Sequence, residues 1–107
     1  MSATVVEGRR TRLRPGAGAE YRSVHATIPE PLAAALEACG LVSWRIWIDG
    51  ETLFHAIETT GGVADMVRQM TERGPVDPAW DARIATLVDD SPASAADLDL
   101  VWEHSVN

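Results

Sequence analysis

The chain has 107 residues, 46% of them hydrophobic, and a formal net charge of −7 from 16 acidic and 9 basic residues. That length suits one compact domain over residues 1–107, and the acidic balance argues against a nucleic-acid backbone as partner, since phosphate binding needs a positive field. A single cysteine, Cys39, cannot form an internal disulfide, and no run approaches the roughly 18 apolar residues of a membrane span; a cytoplasmic protein off the membrane is expected.

Residues Met1 to Val6 read as a loose start, and Glu7 to Arg14 alternates charge with Thr11 and Leu13 as a first strand does. Arg9, Arg10, Arg12 and Arg14 crowd this segment; a solvated strand face balanced by acids elsewhere is the plain reading, anion contact the other. Pro15-Gly16-Ala17-Gly18 turns the chain into a helical region from about Ala19 to Cys39. There Tyr21, His25, Ile28, Leu32, Ala35 or Leu36, and Cys39 mark one face at spacings of three and four. Thr27-x-x-Glu30 has the form of a capping box with Pro29 in the first turn, so two helical pieces joined near Thr27 are predicted, with Gly40 as the stop.

Leu41 to Asp49 reads as a strand with Trp44, Ile46 and Ile48 on one face and Arg45 and Trp47 on the other. Asp49-Gly50 signals a hairpin, and Thr52 to Glu58 is the return strand. A glycine-rich loop from Thr59 to Gly62 precedes a helix from about Val63 to Gly74, and Pro75 to Pro78 is a break. Trp80, Ile84, Leu87 and Val88 suggest a further short helix, Ser91 to Ala96 a loop, and Leu98 to His104 a last strand. The order β-α-β-β-α-β is that of the α+β ferredoxin-like fold with an antiparallel sheet. Its helices cover one face only. Period-two counting places Trp47, with Leu53, His55 and Ile57, on the other face, and a second copy packing sheet to sheet would cover it.

Several chemistries find no support. Gly16 and Gly18 match no phosphate-loop spacing, and His25, His55 and His104 show no metal-ligand spacing. Asp89-Asp90 and Asp97-x-Asp99 read as solvated loop charges, and Cys39 has no basic neighbour in sequence to activate it. Neither a metal nor a cofactor is expected. What remains is Glu20-Tyr21-x-x-x-His25, which sets a phenol and an imidazole one turn apart on one helix face. By spacing alone, a core histidine beside a packing tyrosine is the plainer reading. Of the four tryptophans, three read as core filler; Trp80, at a helix start after a proline-rich break, is the one placed to overhang a cavity and stack on a sugar.

Arg12-Leu13-Arg14-Pro15-Gly16, then Glu20-Tyr21-Arg22-x-x-His25, then Leu32, resembles the first strand and helix of the L-rhamnose mutarotase family. Val76-Asp77-x-x-Trp80 is similar to that family's tryptophan-bearing helix start, and Leu98-x-x-Val101-Trp102 to its final strand. The resemblance implies a dimeric α+β barrel that works without a cofactor and interconverts the α and β anomers of a 6-deoxy sugar. It implies that His25 is the acid/base group, Tyr21 its partner, and Trp80 a sugar-pocket residue, with Trp44 and Asp77 as further substrate contacts. The chain departs from the family where a Trp-Pro-Glu run is usual after the histidine, reading Ile28-Pro29-Glu30-Pro31, and at Ala79 before the tryptophan. The sugar is therefore left open among L-rhamnose, L-fucose and a related monosaccharide. Another enzyme on the same fold, such as a monooxygenase or an isomerase acting on an aromatic substrate, and a non-catalytic binding or dimerisation module are the alternatives.

Overall fold

The chain folds into one four-stranded sheet with helices between its first and second and its third and fourth strands. A computed structural model of the chain describes residues 3–106. Its elements are β1 (Val5–Arg12), α1 (Gly18–His25), α2 (Glu30–Ala38), β2 (Leu41–Asp49), β3 (Thr52–Thr59), α3 (Val63–Arg73), α4 (Pro78–Ala85) and β4 (Ala96–Leu98). The strands lie in the order β2-β3-β1-β4 with every neighbouring pair antiparallel, which is the ferredoxin-like arrangement. No helix among the described residues is long and apolar enough to cross a membrane.

The β2–β3 hairpin closes through Gly50 and Glu51, with Asp49 opposite Thr52. Gly50 has φ +62 and, among the described residues, no non-glycine residue has a positive φ, so the turn is of the type with glycine in the first central position. Gly40, between α2 and β2, has φ +112, and a Cβ there would lie 2.8 Å from the Thr60 hydroxyl oxygen; both facts hold the position to glycine.

Register decides which residues meet the helices. Ile46 lies opposite His55 and Ile48 opposite Leu53, and Leu53 and Ile57 are 1% and 2% exposed beneath the helices. The predicted placement of Leu53, His55 and Ile57 beside Trp47 is thus wrong by one residue of register. Trp47 lies opposite Phe54 and shares the uncovered face with it, whereas the odd-numbered residues of β3 face inward. Two apolar clusters lie between sheet and helices: Leu13, Ala17, Tyr21, Val24, Leu53 and Leu87 in one, Cys39, Ile57 and Met66 in the other. His55 sits between Leu53 and Ile57, at the seam between the clusters.

Other expectations shift as well. Val5 and Val6 are already in β1, so the expected loose start shrinks; Met1 and Ser2 lie outside the described residues. β1 ends at Arg12, and beyond it Leu13 forms an isolated bridge to Val88 while the Arg14 N–H donates to the Leu87 carbonyl at 2.8 Å. Leu87 therefore lies in the turn that closes α4 and Val88 in the bridge beyond it, and neither lies within the helix. α2 starts from Pro29 with no side-chain cap, so the expected Thr27 capping box does not form, and Pro31 takes the first-turn position. The last strand is short. β4 covers Ala96–Leu98, and residues 99–106 carry no regular structure, leaving Val101 and Trp102 92% and 77% exposed. None of the four tryptophans is core filler: Trp44, Trp47 and Trp102 are exposed, and Trp80 is half-buried.

Candidate active site

The helix face of the sheet gathers most of the chain's titratable rings. α1 makes two turns after Ala17, whose carbonyl accepts from the Tyr21 N–H at 2.9 Å, and its buried Tyr21 and Val24 join the first cluster. His25 is the last residue of that helix, four places on, so its ring lies over Tyr21 with centroids 4.0 Å apart and planes 28° apart. The edge of Trp80 meets His25 at 5.3 Å and 63°. The sequence-predicted trio of Tyr21, His25 and Trp80 is one cluster in space.

Trp80 is placed by the start of α4. Asp77 is the N-cap, its carboxylate accepting the Trp80 backbone N–H at 3.0 Å, and Pro78 occupies the first turn, where its missing N–H costs nothing. Asp77 thus fixes the turn that carries Trp80. Trp44 reaches the same side of the sheet from the edge strand β2. It borders a groove of about 440 Å³ together with Leu32, Leu36, Met66, Val76 and Asp81. Val76 precedes the Asp77 cap and Asp81 lies in α4, so this groove passes beside the start of that helix, while Tyr21, His25 and Trp80 are not among the residues that line it.

The two histidines differ in what they have free. His25 Nδ1 lies 3.1 Å from the Tyr21 carbonyl oxygen, which can only accept, so Nδ1 carries a proton and Nε2 is left with a lone pair in the neutral ring. Burial lowers the His25 pKa from 6.5, with the carbonyl contact pulling the other way, so the ring is neutral near pH 7. Burial also pushes the Tyr21 phenol up to about 12, keeping it protonated and able to donate. An imidazole with a free lone pair beside a protonated phenol can remove a proton and supply another without a metal.

His55 has nothing free. Its Nδ1 accepts the Trp44 indole N–H at 3.1 Å, and its Nε2 lies 2.8 Å from the Thr11 hydroxyl. Burial lowers its pKa, and the charges of Arg9 and of protonated His25 act in the same direction. Sequence reasoning missed this residue as part of the site because it was placed on the wrong sheet face. The available signal was the Leu53-x-His55-x-Ile57 alternation, which puts a histidine in line with two core residues.

Three arginines of the arginine-rich N-terminal segment each go to a different partner. Arg9 pairs with Asp97 at 3.3 Å, Arg10 donates to the Ala93 carbonyl, and Arg14 Nε donates to the Val88 carbonyl at 3.0 Å.

The model of the L-rhamnose mutarotase family matches residues 8–105. No curated protein sequence matches the chain. Among solved structures, an L-rhamnose mutarotase from Formosa agariphila is 19% identical with a TM-score of 0.72, covering 94% of this chain and 99% of that one. A NIPSNAP family protein from Agrobacterium tumefaciens is 20% identical with a TM-score of 0.54, covering 92% of each chain. A NIPSNAP domain protein from Burkholderia xenovorans is 17% identical with a TM-score of 0.52, covering 98% of this chain and 99% of that one. At such identities the structures speak for the fold alone. The match to the family model runs from β1 to the C-terminal segment and includes the Tyr21, His25 and Trp80 cluster, and the chain belongs to the L-rhamnose mutarotase family.

Proposed function

We propose that this protein is a mutarotase that interconverts the α and β anomers of a 6-deoxy sugar such as L-rhamnose or L-fucose. The observation that carries the reading is the state of His25: Nδ1 is held by the Tyr21 carbonyl, Nε2 is free, and the ring lies between Tyr21 and Trp80. Neutral Nε2 takes the proton of the anomeric hydroxyl, and the Tyr21 phenol gives its proton to the ring oxygen as the C1–O5 bond breaks. The open-chain aldehyde turns about C1–C2. Reclosure on the other carbonyl face returns both protons to their donors. Trp80 and Trp44 offer flat apolar surfaces to the sugar's C–H faces, and Asp77 is a further contact at the start of α4.

The site asks for no metal or cofactor in this scheme. The uncovered sheet face, with Val6, Trp47, Phe54 and Leu98 at 53%, 56%, 37% and 44% exposure, supports a homodimer closed through that face. Membership of the L-rhamnose mutarotase family supports a monosaccharide as the small partner and a cytoplasmic setting.

The test is exchange NMR between the anomers of L-rhamnose and of L-fucose, with and without protein. Accelerated exchange with one sugar supports the activity and names the sugar. No acceleration with either moves a non-catalytic module, or another small-molecule enzyme on this fold, to the front.

A further inference from the structure

His55 is not used by the proton transfers above, yet it occupies the centre of the covered face. It is 9% exposed in the middle of β3, where a valine or leucine would join the two apolar clusters into one. A polar ring there is costly unless both nitrogens are satisfied, and both are. An indole N–H can only donate, so Nδ1 must be the unprotonated nitrogen and Nε2–H donates to Thr11 Oγ1. The ring is thereby pinned from β1 on one side and from β2 on the other.

Trp44 has the opposite circumstances. It stands on an edge strand and is 40% exposed, so packing alone leaves its side-chain torsions loosely determined. Its one polar atom is held by His55 Nδ1, and the same indole borders the groove that passes beside the start of α4.

We propose that His55 is a positioning residue: as a fixed acceptor it holds the Trp44 indole as a wall of the groove beside α4, serving sugar affinity and leaving the proton transfers to His25 and Tyr21. This role rests on the mutarotase reading.

The test measures kcat and KM for anomer exchange in the full chain, with the 15N-edited indole signal of Trp44 as a second readout. His55→Leu removes the acceptor and is expected to raise KM roughly three- to tenfold, the scale of one lost hydrogen bond, with kcat within about twofold. The Trp44 indole signal moves with it. His55→Asn, whose side-chain oxygen can stand near the Nδ1 position, recovers most of the KM. In a Trp44→Phe background, which has no indole N–H to hold, His55→Leu adds nothing further to KM.

A fall in kcat at unchanged KM, or an equal effect of His55→Leu in both backgrounds, overturns the proposal. A wild-type protein that accelerates no deoxy sugar overturns the mutarotase reading and this role with it. A wild-type protein that does, with an unmoved indole signal in His55→Leu, overturns this role alone. If His55→Leu does not fold, Thr11→Val frees Nε2 while keeping the acceptor; a KM rise of about two- to threefold supports the proposal, and an unchanged KM overturns it.

Discussion

The two faces of the sheet are built from the same strands, often from adjacent residues, and serve opposite purposes. On β3, Leu53, His55, Ile57 and Thr59 are buried under helices, whereas Phe54 between them is 37% exposed. The covered face carries the core, His55, and the His25 ring of α1. The open face carries Val6, Trp47, Phe54 and Leu98, each more than a third exposed, with Leu100 and Glu103 of the C-terminal segment beside Val6 and Leu98. The comparison teaches that burial and chemistry were placed together: the groups with shifted pKa values in the site owe the shifts first to the helices that cover that face.

The sharpest way to test the comparison is at the site. His25→Ala is expected to reduce anomer exchange by roughly 10²–10⁴-fold, the usual scale of acid/base catalysis, while circular dichroism and oligomeric state stay as in the parent. An unchanged rate in the folded variant would remove His25 from the mechanism.

Next comes a pair of neighbours on one strand. Leu53→Ala, at 1% exposure, is expected to lower unfolding free energy by about 2–5 kcal/mol in denaturant titrations. Phe54→Ala is expected to cost less than that in dilute protein, and to weaken the dependence of stability on protein concentration if a second copy covers the open face. Equal losses at the two positions would break the contrast between the faces.

Trp47→Asp puts a charge on the exposed β2 side of the open face. It is expected to weaken self-association by about 2 kcal/mol or more in sedimentation experiments, as loss of a buried aromatic anchor does. An unaltered assembly would place the interface elsewhere. Asp77→Ala is a smaller perturbation on the helix side; it removes the cap over the Trp80 N–H and is expected to cost about 1 kcal/mol of stability and to loosen Trp80 fluorescence.

The smallest effect is that of pH. The folded protein holds His25 and His55 below the ordinary 6.5, so between their folded values and 6.5 the unfolded chain binds more protons. Stability is therefore full above about pH 6.5 and declines as the pH falls toward those folded values. Exchange activity follows the same direction, with an acid limb below 6.5 and no alkaline limb near neutrality, since Tyr21 titrates at about 12. An acid limb centred above 6.5 would contradict the neutral state of His25.

Much of the fold was legible in the sequence because its signals are local. The hairpin at Asp49-Gly50, the helix start at Asp77-Pro78 and the Tyr21/His25 pair one turn apart each depend on residues within four places of one another, and each is found. The C-terminal strand failed for the complementary reason. Val101 and Trp102 have the composition of a strand, but a strand needs a partner edge, and within the chain β4 ends at Leu98.

What the sequence by itself determined is the order of the elements, the hairpin turn at Asp49-Gly50, and the rings that one helix turn brings together. Only the tertiary structure decided which side of β3 the helices would cover, and so made His55 the polar centre of the core and Trp44 its partner. The physical reason is that alternation along a strand separates two faces without naming either; the choice depends on cross-strand register and on where α1 to α4 come to lie, and both are set by contacts between residues distant in the chain.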